Sequence, residues 1–245
     1  HTAVSSALKM LHDGADIIDV GGESTRPGSD ELDLTEEVRR AVPVIEGIAA
    51  RQPAAVISVD TRRRHVAERA IRAGATIIND ISGFRDDPSM VDLARESGCG
   101  LIVMHMLGRP KTMQQDIRYR SFPGDLVEFF EERTRYLEDA GIDPGKIVID
   151  PGIGFGKTFD QNLILINRLD RLTSLGKPVL VGASRKSFIG KILDEPEASA
   201  RDTGTMATVA ACIMRGASIV RVHDVRSAVQ ICRVTDAIVR ERVEP

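Results

Sequence analysis

Seven times along the chain a short apolar run stops abruptly at a polar or glycine-rich loop, and helix-like sequence follows each time. The seven runs are Ala15–Val20, Ala55–Val59, Thr76–Asn79, Gly100–Met104, Lys146–Ile149, Pro178–Val181 and Ser218–Val222. They are too short for helices and too continuously apolar for half-exposed antiparallel strands, so they read as buried parallel strands. Between them, apolar residues recur at helical spacing. Val4 to Leu11 is one such segment, Leu34 opens the next with Val38, Ala41, Val42, Ile45 and Ile48 as its buried stripe, and Arg62 to Ala73 follows. Further helices are predicted over Ser89–Glu96, Leu126–Ala140, Gln161–Leu175, Ser187–Leu193, Ser199–Arg215 and Val225–Arg240. Pro43 inside the second helix predicts a kink or a later start.

Alternation of strand and helix with no polar linker predicts one α/β domain over residues 1–245. A TIM-type (β/α)8 barrel gathers all loops after its strands at one face, and it needs eight strands where seven are found. A first strand and its loop are therefore expected upstream of His1. The competing doubly wound sheet would carry a GxGxxG turn after its first strand, and GGESTRPG lacks that spacing. With 33 Lys plus Arg against 36 Asp plus Glu, the formal charge of -3 provides no basic field for nucleic acid. Cys99, Cys212 and Cys232 show no CxxC spacing and are odd in number, which fits a reducing compartment. No signal-peptide pattern or long apolar run is present, and a soluble cytoplasmic protein is expected.

Chemistry is concentrated at the strand ends. VIDPGIGFGKT, Val148 to Thr158, delivers Asp150 to a mobile, glycine-rich loop, with Phe155 available as an apolar or stacking wall. Its GIGFGKT is not a phosphate-binding P-loop, because Pro151 stands where that motif requires glycine. Asp60, Asn79 and Asp150 end strands that a barrel would gather round one cavity; two carboxylates and a carboxamide suit a planar heterocycle presenting amino and ring N–H donors beside a carbonyl. Each could equally be a turn or cap residue. Lys186 in the SRKS turn reads as a compensating charge, as a solvated surface lysine, or as a Schiff-base lysine. Arg221 and His223 stand two apart on the last strand, hence on one face, and together suit an anion at the barrel mouth; Arg26 is a second anion candidate. His12 and His65 carry no metal-ligand spacing, and Arg62, Arg63 and Arg64 read as a solvated helix start. The stretch from about residue 106 to 124 is long for a loop in a compact domain and reads as a lid or a disordered segment.

The segments DVGGESTRPG, SVDT, INDISG, MHM, DPGIGFGK, GASRKSFIG and RVHD, in this order, resemble those of the dihydropteroate synthase family. The resemblance implies an eight-stranded α/β barrel that condenses 6-hydroxymethyl-7,8-dihydropterin diphosphate with 4-aminobenzoate to give 7,8-dihydropteroate and diphosphate. It implies that Asp60, Asn79, Asp150 and Lys186 hold the pterin ring, with Met104 packing near it. Arg221 and His223, assisted by Arg26, are the implied diphosphate ligands, and Thr25, Pro27, Phe155 and Ser184 the implied 4-aminobenzoate pocket, where sulfonamides compete. Asp60, Asp150, Lys186, Arg221 and His223 are accordingly the expected catalytic set. A Mg2+ cofactor and a homodimer are implied as well; the family's metal-holding asparagine belongs to a segment with the pattern NVTPDSFSDGG, which this sequence does not contain. The alternatives are a methyltetrahydrofolate-type methyltransferase, which would need no diphosphate ligands, and a pterin-binding paralogue without activity.

Overall fold

The computed structural model describes residues 2–25 and 28–243. In chain order the elements are α1 (Thr2–His12), β1 (Ile17–Gly21), α2 (Leu34–Ala49), β2 (Val56–Asp60), α3 (Arg64–Arg72), β3 (Ile77–Asp80), α4 (Met90–Ser97), β4 (Gly100–Met104) and α5 (Gly124–Asp139). They continue as β5 (Ile147–Asp150), α6 (Phe159–Asn167), α7 (Asp170–Thr173), β6 (Leu180–Val181), α8 (Ser187–Leu193), α9 (Asp202–Met214), β7 (Ile219–Val220) and α10 (Val225–Val239). All seven predicted strands are present, the last two reduced to a pair of residues each.

Strands β1 to β5 pair in sequence order, every pair parallel, and β6 pairs with β7. A bridge between Ile149 and Val179 joins the two sheets. Between β7 and β1 no ladder forms among the described residues, and a cavity opens there, walled by both strands. This is a parallel barrel with its helices outside. One continuous apolar core runs from Ala7 in α1 to Cys212 in α9, with Ile57, Ile78, Leu101 and Ile149 of the strands fully buried within it.

Local signals explain some of the helix boundaries. Asp33 caps α2 by accepting from Thr35 N at 2.8 Å. Thr158 and Gln161 form a reciprocal capping box that starts α6 immediately after the glycine loop. Pro43 lies inside α2 without ending it. The single helix predicted over Gln161–Leu175 is instead broken into α6 and α7 at Arg168, where φ is −114° and ψ 31°. Nothing in the apolar pattern marks this break, since Leu165, Leu169 and Leu172, all fully buried, would share one face of an unbroken helix too.

One surface expectation is corrected, and another is narrowed. Arg62 is not a solvated helix start: it is 7% exposed and its guanidinium lies 2.8 Å from Asp86, 3.0 Å from Glu31 and 3.5 Å from Glu23. Three carboxylates arriving from two loops, Glu23 and Glu31 from the one after β1 and Asp86 from the one after β3, outweigh hydration of one cation, and they push its pKa up against the effect of burial. The stretch after β4 is ordered by its own turns and by its neighbours: Met113 is buried, Tyr119 Oη donates to Gly156 O at 2.8 Å, and Gly28 N donates to Pro110 O at 3.0 Å.

Candidate active site

Strand register places the polar residues in layers. Gly21, Asp60, Asn79 and Ile102 face one another across β1 to β4, and Asp19 pairs with Ser58 one layer below. Met104 and Asp150 form the next layer above, at the ends of β4 and β5. Since side chains alternate across each strand, these residues all face the barrel axis. They meet a cavity of about 750 Å³ whose walls include Thr25, Asp60, Phe155, Ser184, Lys186, Arg221 and His223. Seven of the predicted site residues thus reach one space. Asn79, Met104 and Asp150 stand just behind its wall, at 0%, 0% and 1% exposure. Arg26 and Pro27 lie outside the described residues.

Hydrogen bonds tie the hidden layer to the cavity. Arg221 donates to Asp150 Oδ2 at 3.0 Å and to Asp19 Oδ2 at 3.2 Å, and Asn79 Nδ2 donates to the same Asp19 oxygen at 3.1 Å. Asp150 Oδ1 accepts from Gly152 N at 2.8 Å. Arg221 therefore does not stand free on a basic rim, as its spacing from His223 suggests; it reaches into the acidic floor. Gly182 leaves room for this close approach, since a Cβ there would fall 3.0 Å from the Arg221 guanidinium and press on it. The side-chain amide oxygen Oδ1 of Asn79 is buried with no hydrogen-bond partner, a costly arrangement in a protein interior.

The electrostatics follow from this crowding. Burial and the like charge of Asp19 raise the Asp60 carboxyl to about 8, against an opposing pull from Arg221. Burial and Arg221 lower the Lys186 ammonium to about 8, with Asp150 pulling it back up. Burial would lower Arg221 itself, but Asp150, Asp19 and Asp60 together raise it, so its charge is fixed. At neutral pH the site thus holds a protonated carboxyl beside a permanent cation.

Lys186 is aimed by the turn that carries it. Arg185 adopts φ 58°, an uncommon conformation for a side-chain-bearing residue, and is held there by paired 2.7 Å bonds from its guanidinium to Asp202. Arg185 N also donates to Thr205 Oγ1 at 3.0 Å. Lys186 then caps α8 and lays its Nζ 4.2 Å above the Phe155 ring. Ser184, on the same turn, lies with Oγ 2.8 Å from His223 Nδ1.

Three contributors escape the sequence reading. Asp19 links Arg221 to Asn79, yet it interrupts an apolar run one residue before its end; its sharing of a face with Gly21 is the one available signal. His105 and Lys157 interact beneath the Phe155 loop, with Nζ 3.1 Å from Nδ1. Among the described residues no three His, Cys, Asp or Glu side chains converge to hold a metal. The carboxylates nearest the anion-facing side, Asp19 and Asp150, are both engaged by Arg221, so the residues present do not fit a resident Mg2+. A second cavity, about 390 Å³, lies between the GGEST loop and the loop after β4, where Lys111 pairs with Asp30 and Arg109 with Glu31.

Parallel strands ending in a polar, half-closed cavity match a known class. The model of the family described as pterin binding enzyme matches residues 1–223, which makes this a pterin-binding barrel. The dihydropteroate synthase of Synechocystis sp. is 46% identical over 240 residues, covering 98% of this chain and 82% of that protein. The Yersinia pestis dihydropteroate synthase, solved with a sulfonamide drug, superposes with a TM-score of 0.92 at 39% identity, covering 96% of this chain and 84% of that one. The Xanthomonas albilineans dihydropteroate synthase with 4-aminobenzoic acid gives 0.91 at 38% identity over 97% and 84% of the two chains. The chain belongs to the dihydropteroate synthase family, transferases that join 6-hydroxymethyl-7,8-dihydropterin diphosphate to 4-aminobenzoate.

Proposed function

We propose that a single pterin diphosphate molecule spans the cavity of about 750 Å³, with its ring against Asp60, Asn79, Asp150 and Lys186 beside Met104, and with its diphosphate toward Arg221 and His223. Arg26 would assist the diphosphate. The amine substrate then enters against Phe155, Thr25, Ser184 and Pro27, the same space in which a sulfonamide would compete. One observation carries this reading: Asp60, Lys186, Phe155, Arg221 and His223 line one continuous space, with the buried side-chain oxygen Oδ1 of Asn79 left without a donor beside it.

An aromatic amine is a weak nucleophile, so the carbon it attacks must become strongly electrophilic. The pterin methylene C–O bond breaks and diphosphate leaves with the electron pair. The cation left behind is delocalised into the ring, the amine lone pair closes the C–N bond, and the amine loses a proton. Fixed charge aimed at the developing cation lowers this barrier most in a closed, dry site. Asp150 is so aimed, but in the free protein its charge is covered by Arg221. An incoming diphosphate competes with Asp150 for that guanidinium. Leaving-group binding therefore uncovers the carboxylate as positive charge grows on the ring. Lys186 offers a donor to a ring carbonyl or nitrogen, and the Asp60 carboxyl, raised in the free protein, releases its proton to solvent as it accepts from the ring's own N–H donors.

Mg2+ is proposed as a companion of the substrate's diphosphate rather than a resident of the chain; bound there, it would neutralise the leaving group. A homodimer is also proposed, supported by exposed apolar side chains on α9 and α10, Met214, Val234 and Ile238. Among the described residues no helix is long and apolar enough to cross a membrane, and a cytoplasmic location is proposed in keeping with three unpaired cysteines.

The test is product formation. Chromatography of a reaction containing pterin diphosphate, 4-aminobenzoate and Mg2+ is expected to show 7,8-dihydropteroate only when both substrates are present. Consumption of pterin diphosphate without incorporation of the amine would overturn the proposal.

A further inference from the structure

Lys157 is 3% exposed, yet its ammonium has no part in the chemistry above. Its partners are backbone carbonyls and a ring nitrogen: Phe155 O at 2.9 Å, Gly152 O at 3.0 Å, His105 Nδ1 at 3.1 Å and, more distantly, His105 O at 3.4 Å. An ammonium has three hydrogens to give and accepts none, so all three are taken. In that charged form His105 presents a lone pair at Nδ1; burial lowers the Lys157 ammonium to about 7, with Asp150 pulling it up and Lys186 adding to the lowering, and the carbonyl contacts are what hold its hydrogens in place. The lone pair agrees with the surroundings of His105, where burial first and the charges of Lys157 and Arg85 next hold the imidazole well below its usual value. A methionine of similar length would fill the space without burying a charge.

The reason for a cation lies in how closely two loops meet. Gly152 adopts φ 65°, and a Cβ placed there would fall 2.1 Å from His105 O. Three carbonyls, from His105, Gly152 and Phe155, converge at this contact, and their dipoles repel without a central donor. Lys157 supplies it. Two further carbonyls of the loop have side-chain donors, Gln114 Nε2 to Gly154 O at 2.7 Å and Tyr119 Oη to Gly156 O at 2.8 Å. The glycine-rich loop is thus tied down along its length rather than loose.

Phe155 stands between two ammonium groups, its carbonyl on Lys157 and its ring beneath Lys186 at 4.2 Å. We propose that Lys157 is a positioning residue, whose buried clamp on the loop after β5 fixes the Phe155 ring as the wall of the amine pocket. The proposal rests on the 4-aminobenzoate reading of that pocket. It assigns Lys157 no contact with either substrate.

The test is a double-mutant cycle on KM for 4-aminobenzoate, using K157M, F155A and the pair. Each single variant is expected to raise that KM roughly tenfold, with KM for pterin diphosphate changed less than about threefold. If Lys157 acts through Phe155, K157M adds nothing further in the F155A background. Full multiplication of the two effects, or a K157M that lowers only kcat and melting temperature, overturns the proposal. Should K157M not fold, K157Q carries the same cycle, because it keeps two N–H donors and is expected to retain part of the wild-type KM. An unaltered protein that forms no dihydropteroate would defeat the functional reading itself, a result distinct from any pattern among the variants.

Discussion

The guanidinium of Arg221 lies 3.0 Å from Asp150 Oδ2, although 71 residues separate the two in sequence and the carboxylate is 1% exposed. It also reaches Asp19 at 3.2 Å, so one cation neutralises a buried acid and a second, more exposed one on the cavity wall. R221M is expected to destabilise the fold by about 2 kcal/mol, below the roughly 3–5 kcal/mol of a fully buried pair because Arg221 keeps some solvent contact. It should also lower kcat/KM about a hundredfold, which corresponds to about 3 kcal/mol of transition-state stabilisation. Urea unfolding and steady-state assays check the two figures separately.

Asp60 makes stability depend on pH with a definite sign. Its folded value of about 8 lies far above the ordinary carboxyl value of 3.8. Across that window the folded state keeps a proton that the unfolded chain has lost, so this group's contribution to stability falls as pH rises, by about 1.4 kcal/mol per unit at most. D60N removes the titration. The stability of D60N relative to the unaltered protein should therefore climb between about pH 4 and 8. Urea midpoints taken at half-unit intervals measure it, and a flat difference would contradict the assignment.

Asp202 is expected to matter for turnover more than for folding. Its paired bonds to Arg185 are partly solvated, so D202A should cost about 1 kcal/mol or less in stability. Releasing the φ 58° turn, however, lets Lys186 leave its place above Phe155, and kcat is expected to fall about tenfold. A D202A protein with unchanged kcat would show that the turn holds Lys186 without Asp202.

Ile238 is 62% exposed on α10 and Val234, one turn earlier, 60%. If these side chains cover one another in a homodimer, I238E should convert the dimer to monomer in sedimentation velocity while the unaltered chain sediments as a dimer. A monomeric unaltered chain removes the dimer from the account.

The strand ends were legible because burial on both faces makes a parallel strand continuously apolar, so Asp60, Asn79 and Asp150 stand out where the runs stop. Asp19 lacked that contrast, lying inside its run. Arg62 was misread because a row of three arginines resembles a hydrated helix start, whereas its three acidic partners come from positions 23, 31 and 86. Arg221 and His223 line one cavity, although β7 ends at Val220 before either of them, and spacing along a strand says nothing about an acid 71 residues earlier. Lys157 sat in a motif already rejected as a phosphate loop, and its carbonyl partners belong to backbone that no side-chain pattern reports.

The account turns on Asp150 stabilising positive charge on the pterin as diphosphate departs. Its most direct measurement is diphosphate release from pterin diphosphate, with and without 4-aminobenzoate, by the unaltered protein and by D150N. The expected result is sustained release by the unaltered protein only when the amine is present, with D150N slowed about a hundredfold or more at saturating substrate. D150N turning over at the unaltered rate would contradict it.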